Sequence, residues 1–188
     1  MHRFLLGLGN PGSSYSGTRH NLGFMLADLI AGGYGFKPGP GEFYIAETPD
    51  CLVIKPTTYM NRSGIAALQL AELFQLDPRD MLVAYDDVDL EFGTVRLRLS
   101  GSSGTHKGME SVIYYLGTER IPRIRMGIGP KPPQVKLADF VLSPFEEEEK
   151  ANLPEVLEAA KECVYLWLKN PELASSRCGK VVLGRNED

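Results

Sequence analysis

Cysteine is scarce in this chain: Cys51, Cys163 and Cys178 are the only three in 188 residues. An odd, scattered set argues against a disulfide framework and against a zinc cluster, both of which need several cysteines at short spacings. Long apolar runs are also missing, and none approaches the roughly 20 residues that span a bilayer. The opening Met1-His2-Arg3 leads straight into a hydrophobic strand, with no signal-type apolar region and no Arg- and Ser-rich transit segment. These absences predict a cytoplasmic chain with no membrane partner.

What is present is the composition of an ordinary globular protein, with 43% hydrophobic and 23% charged residues. The chain reads as a single domain over 1–188, a size that buries about 70% of the unfolded surface, with a flexible tail over about 179–188. The net charge of −4 argues at first against a nucleic-acid partner, but it is unevenly placed. Residues 96–136 carry eight basic side chains (Arg96, Arg98, Lys107, Arg120, Arg123, Arg125, Lys131 and Lys136) against Glu110 and Glu119; residues 137–163 carry eight acidic and two basic ones. A local basic excess inside an acidic protein attracts phosphates while the bulk stays soluble. From charge alone, solvated residues spread around the surface are an equal reading.

Periodicity predicts strands over about 3–8, 43–47, 51–55, 81–85, 94–99 and 124–129, and helices over 21–31, 62–75, 107–116 and 152–169. In the last helix Leu153, Val156, Leu157, Ala160, Val164 and Trp167 share one face. Asp77-Pro78 and Ser143-Pro144 each set a capping residue before a Pro and predict two short helix starts. This order of elements predicts an α/β fold with a mixed, largely parallel twisted sheet covered by helices on both faces.

Chemistry-bearing side chains collect where these strands end. The strand Phe4-Leu5-Leu6 runs into Gly7-Leu8-Gly9-Asn10-Pro11-Gly12, then Tyr15 and Thr18-Arg19-His20-Asn21. An Asn and a His thus share a loop leaving a strand, where α/β proteins usually carry their chemistry. Histidine, with an ordinary pKa of about 6.5, is suited to proton transfer near neutral pH. Gly7, Gly9 and Gly12 also match the G-x-G-x-x-G spacing of a dinucleotide-binding turn. That turn needs a helix starting at the third Gly and an acidic residue about 20 positions further on, ending a second strand. Here Ser13-Ser14-Tyr15-Ser16-Gly17 is loop chemistry, and Asp28 falls inside the apolar run Leu22–Ile30. The sequence therefore speaks against a dinucleotide, and no cofactor is expected.

Four further segments join strands to helices or carry charge. Lys55-Pro56-Thr57-Thr58-Tyr59-Met60-Asn61 enters a helix, where an Asn is by default an N-cap. Tyr85-Asp86-Asp87-Val88-Asp89 ends the strand beginning at Met81, and its carboxylates suit either Mg²⁺ or a capped turn. The Ser100–Gly104 loop delivers His106 and Lys107 to a helix start, and Arg123-Ile124-Arg125 sends two basic side chains to one face of a strand. Each has a plain structural explanation alone; strand ends of one sheet converge in space, so together they outline a site.

With Gly7–Gly23, Lys55–Gly64, Tyr85–Gly93 and His106-Lys107-Gly108-Met109 in this order, the chain resembles the bacterial-type peptidyl-tRNA hydrolases from Arg3 to about Arg177. The resemblance implies a monomeric α/β hydrolase cleaving the ester between a peptide's C-terminal carbonyl and the 3′-terminal ribose of tRNA. Peptidyl-tRNA is then the partner, with no protein partner and no metal implied. It implies His20 as the general base for water, Asp86 as the carboxylate on the other ring nitrogen, Asn61 as a substrate-positioning or oxyanion amide, and Asn10 as a substrate contact. Tyr15, Tyr59, Met60 and His106 match residues around the 3′ end or the peptide; Arg96, Arg98 and Arg125 match tRNA phosphate contacts; Asp87 and Asp89 are left as turn residues. Ester hydrolysis by water independently demands a base, an orienting group and a donor for the oxyanion.

The chain departs from the family at Thr105-His106-Lys107-Gly108, where Gly-His-Asn-Gly is common. Lysine cannot copy the acceptor function of that Asn, so no catalytic role passes to Lys107, which is expected instead to hold a phosphate. Thr105 is expected to act as a local N-cap. The competing class is an RNA-binding module on the same scaffold without turnover, as in the organellar splicing factors that resemble this family. Retention of His20, Asp86, Asn10 and Asn61 favours the enzyme, because RNA binding alone does not require that set.

Overall fold

Phe4–Gly7 (β1) is an apolar run with all four residues buried, because it becomes a central strand. The computed structural model, which describes residues 2–183, builds one eight-stranded sheet around it. The other strands are Lys37–Pro38 (β2), Phe43–Glu47 (β3), Leu52–Pro56 (β4), Met81–Glu91 (β5), Thr94–Arg98 (β6), Arg123–Gly129 (β7) and Gly179–Val181 (β8). Their order across the sheet is β2-β3-β4-β1-β5-β7-β6-β8. β1 pairs in parallel with β4 and β5, and β5 in parallel with β7. The outer pairings β2–β3, β3–β4, β6–β7 and β6–β8 are antiparallel. The sheet is mixed as expected, but "largely parallel" describes only its centre.

Alternation along the strands divides the interior into two cores. On one face Leu5, Val53, Leu82, Ile124 and Met126 pack against Leu22–Ala31 (α1), Glu147–Lys169 (α5) and Pro171–Arg177 (α6). On the other, Phe4, Leu6, Ile54, Val83 and Tyr85 pack against Ser63–Leu73 (α2) and Lys107–Leu116 (α3). A five-residue helix, Leu137–Val141 (α4), precedes α5. The expected apolar face of α5 is in place, with Val156, Ala160, Val164 and Trp167 fully buried.

Three local devices place the site. Gly23 lies so close to the paired ends of β1 and β5 that a Cβ there would come within 2.4 Å of the Ala84 carbonyl oxygen and 2.5 Å of that of Leu8. Only a glycine lets α1 sit down this tightly, and α1 carries the His20 loop on its N-terminus. The Asp-rich segment expected to end β5 at 85 instead continues as strand to Glu91, past an irregularity between Asp87 and Glu91. It can do so because β7 presents Gly127, where a Cβ would fall 2.0 Å from the Glu91 carbonyl oxygen. Finally, no helix begins at Gly12: turns follow it, then a short 3-10 turn at Arg19–Asn21 and α1. The geometry a dinucleotide would need is not there.

Several expectations change. α5 starts at Glu147 rather than 152, because the Glu146 and Glu149 side chains form a reciprocal capping box and the acidic first turn complements the helix dipole. Asp77 does cap the turn Pro78–Asp80, accepting from the Arg79 N–H, but Ser143 caps no helix and its hydroxyl meets Arg19 instead. The tail does not begin at 179: Gly179–Val181 pairs with β6, and residues 184–188 lie outside the described residues. The reading of the cysteines also needs correction. Cys163 on α5 and Cys178 at the end of α6 form a disulfide, while Cys51 is free and buried.

Candidate active site

β1 pairs with β5 only as far as Gly7–Ala84, and the chain then peels away into the loop carrying Asn10 and His20. β5 runs on beyond that last pair, so Asp86 faces the gap left by β1. It is 1% exposed. His20 Nδ1 lies 2.8 Å from Asp86 Oδ2, and His106 Nε2 lies 2.9 Å from Asp86 Oδ1. One buried carboxylate therefore serves two imidazoles, which arrive from opposite faces of the sheet ahead of α1 and α3. Burial alone would push the Asp86 carboxyl upward; the nearby His106 and His20 rings and their hydrogen bonds outweigh it and hold the group well below the usual carboxylate range.

The backbone settles the protons. The Met109 N–H donates to His106 Nδ1 at 3.1 Å, which makes His106, not Thr105, the N-cap of α3. With Nδ1 accepting, His106 carries its proton on Nε2 and donates it to Asp86. Asp86, as a carboxylate, can only accept, so His20 Nδ1 is also a donor. The lone pair of His20 is left on Nε2, on the far side of the ring. These three residues bring ligand-type atoms within 4.8 Å of one another, as a metal site would. The tautomer argues against one: a metal on His106 Nε2 would require an imidazolate or the loss of the α3 cap.

Asn10 is 7% exposed and fully engaged on one side. Asn21 clamps its backbone, with Oδ1 accepting from Asn10 N–H at 2.8 Å and Nδ2 donating to Asn10 O at 2.9 Å. Asn10 Oδ1 in turn accepts from the Met60 N–H at 2.8 Å. Its remaining amide hydrogens have no partner among the described residues, so Asn10 offers only donors. The Met60 bond also holds a strained neighbour: Tyr59 has φ 62° and ψ 159°, a region nearly reserved for glycine. Asn61 is exposed and caps nothing, since Tyr59 precedes the 3-10 turn and Arg62 precedes α2.

Asn10, His20, Met60, Asn61, Asp86, His106, Lys107 and Arg125 all line one cleft of about 640 Å³. Its far wall is apolar, built by Leu137, Val141 and Leu142 from around α4, a part the sequence did not reveal. Tyr15 and Tyr59 do not line it but pack edge to face beside Met60, with ring centres 6.2 Å apart. Arg96 and Arg98 also lie outside it. They share a face of β6, and Arg96 stands directly across from Arg125 on β7. Arg125 pairs with Asp87 at 3.0 Å, and Asp87 also accepts the Asp89 N–H, which gives the Asp87 side chain a structural duty; both aspartates line the cleft.

Two arginines were missed as organisers. Arg123 is 2% exposed and donates to the carbonyls of Gly101, Ser102, Glu119 and Ile121, fixing the loop that delivers His106. Arg19, beside His20, is also buried and reaches across to Ser143 and Glu149.

An α/β sheet covered on both faces, with a His–Asp pair at the point where its strand order reverses, has its polar centre where such sheets bind their ligands. The profile of the peptidyl-tRNA hydrolase family matches residues 4–182. The peptidyl-tRNA hydrolase of Sulfurihydrogenibium sp. is 45% identical over 96% of this chain and 98% of its own length. That of Aquifex aeolicus is 41% identical over 95% and 96%. Among solved structures, the Acinetobacter baumannii peptidyl-tRNA hydrolase superposes with a TM-score of 0.88 at 28% identity, covering 96% of both chains. The chain belongs to the peptidyl-tRNA hydrolase family.

Proposed function

We propose that this protein hydrolyses the ester of peptidyl-tRNA in the cytoplasm, releasing peptide and free tRNA, with His20 as the base. The observation that carries this is the fixed proton pattern around Asp86, which leaves a lone pair on His20 Nε2. His20 takes a proton from water as the oxygen attacks the ester carbonyl. Asp86 stabilises the imidazolium that forms. Carbonyl attack develops an oxyanion, and the unpartnered amide hydrogens of Asn10, joined by the exposed amide of Asn61, supply donors for it. Collapse returns the proton to the leaving 3′ oxygen of the ribose. Tyr59 exposes its ring and packs edge to face with Tyr15, which offers an aromatic surface on which a terminal nucleotide would stack, while Met60 lines the cleft.

The basic strand supplies affinity. Arg96 and Arg98 have no carboxylate partner among the described residues, and Arg96 Nε is buried without any hydrogen bond. Burial, then the nearby Arg96 and Arg125 charges, lower the proton affinity of Arg98. Phosphate would relieve this mutual repulsion. Lys107 is exposed at the cleft rim, held only loosely by Glu110 at 3.4 Å, and free to turn to a phosphate. Arg96→Ala with Arg98→Ala is expected to weaken tRNA binding and to reduce the slope of log K against log salt by about 0.7–0.9 per phosphate lost. An unchanged slope would move the phosphate site elsewhere.

Cleavage of N-acetylated aminoacyl-tRNA, beside the free-amine form, tests the function itself. Rapid release from the blocked substrate is the expected result. Binding of tRNA without release would favour the RNA-binding module.

A further inference from the structure

We infer that Arg19 is a positioning residue that holds the His20 base against the apolar wall of the cleft; the inference rests on the hydrolase reading above. Among the described residues the His20 side chain makes one hydrogen bond, to Asp86, so its place depends on how its short 3-10 turn is anchored. Asn21 anchors the turn on one side through the Asn10 backbone. Arg19 anchors it on the other. Its guanidinium donates to Ser143 Oγ at 2.8 Å, to the Pro144 carbonyl and to Glu149 Oε1 at 2.6 Å. It also stacks over the rings of Phe140 and Phe145, 4.5 and 5.4 Å from their centres. The backbone follows the side chain: Arg19 N–H donates to Ser143 O at 3.0 Å, and Thr18 bridges Pro144.

Every one of these partners lies within 140–149, in the last turn of α4 or directly after it, and Leu137 and Val141 of α4 line the same cleft as His20. Glu149 is itself held in place, because the same oxygen accepts the Glu146 N–H that starts α5. The base and the opposing wall are therefore fixed to one another through this planar fork together with the two backbone links. Charge alone does not reproduce it: a lysine would keep the Glu149 pair but lose the simultaneous bonds to Ser143 and Pro144 and the stacking. Catalysis is sensitive to such loosening, since a misplacement of about 1 Å can cost roughly 100-fold in rate.

The test compares kcat and tRNA Kd for wild type, Arg19→Lys, Glu149→Gln and Ser143→Ala, at a temperature where melting curves show each fully folded. Arg19→Lys is expected to lower kcat by about 10- to 100-fold with Kd unchanged, because the proposed phosphate contacts lie on β6, β7 and the start of α3 and not on the segments that Arg19 joins. Glu149→Gln and Ser143→Ala, which keep the arginine and remove one partner each, are expected to show smaller losses in the same direction; they decide the matter if Arg19→Lys does not fold. The ¹⁵N resonances of His20 should report a weakened Asp86 bond in the same order. Full kcat per folded molecule in these variants, with only the melting temperature lowered, would make Arg19 a stability residue and overturn the inference. If wild type fails to cleave blocked aminoacyl-tRNA, the hydrolase reading falls and this inference falls with it. If wild type cleaves and the variants match it, only this inference falls.

Discussion

Replacing His20 with Ala is expected to lower kcat by about 10²- to 10⁴-fold while the dissociation constant for tRNA stays nearly unchanged. The split follows from where the residue sits. His20 lies in the cleft and its side chain is bonded, among the described residues, only to Asp86, whereas the proposed phosphate-binding Arg96 and Arg98 are on β6. Substrate held by phosphates would still bind, and the donors of Asn10 would still face the carbonyl. What disappears is the group that takes the water proton. The Ala variant also strips Asp86 Oδ2 of its partner, and an unsatisfied buried acceptor costs about 1–3 kcal/mol. His20→Asn separates the two effects. Its amide nitrogen can stand near Nδ1 and keep the bond to Asp86, but nothing replaces Nε2. Stability is expected to recover and turnover is not. An unchanged rate in either variant would remove His20 from the mechanism.

The legible parts of the molecule were those fixed by local pattern. β3 and α3 were predicted to the residue, because Phe43 and Ile45 alternate with exposed Tyr44 and because α3 carries Met109 and Val112 on one turn-spaced face between His106 and Gly117. β2, α4 and α6 were missed; two, five and seven residues are too few to show a period. β5 was cut short because three aspartates read as a turn, and the glycine of β7 that lets the strand continue lies about 40 residues further along. The same limit governs the site. His20, Asp86, Asn10 and Asn61 stood out at strand ends, but the tautomer of His106 depends on one backbone N–H of α3. Nothing local marks Arg19 beside His20, since its partners Ser143 and Glu149 are 124 and 130 positions away. Cys163 and Cys178 looked scattered because the turn from α5 into α6 brings them together. In each case a tertiary contact, not a propensity, assigned the role.

Asp86→Asn is the sharper test of the proton pattern, and its effect on kcat is expected to reach about 10³- to 10⁴-fold, comparable with the same change in a Ser-His-Asp triad. The carboxylate accepts two N–H groups, whereas an amide accepts on one side and donates on the other. His106 cannot change to suit it, because its Nδ1 must stay an acceptor for the Met109 N–H that caps α3. The amide oxygen is therefore forced to face His106, and its NH₂ faces His20. His20 must then accept on Nδ1 and carry its proton on Nε2, which directs a hydrogen rather than a lone pair into the cleft. The base is lost with every atom still in place. Stability should report the same substitution through its pH dependence. The Asp86 carboxyl is held below its unfolded value of about 3.9, so the stability it contributes is fully present above that value and is lost as pH falls through the depressed folded value. The Asn variant lacks this term, and its melting temperature is expected to fall less steeply than wild type below about pH 4. Turnover within tenfold of wild type would show that His20 chooses its tautomer without Asp86, and the shared carboxylate would then be a device for holding two loops together.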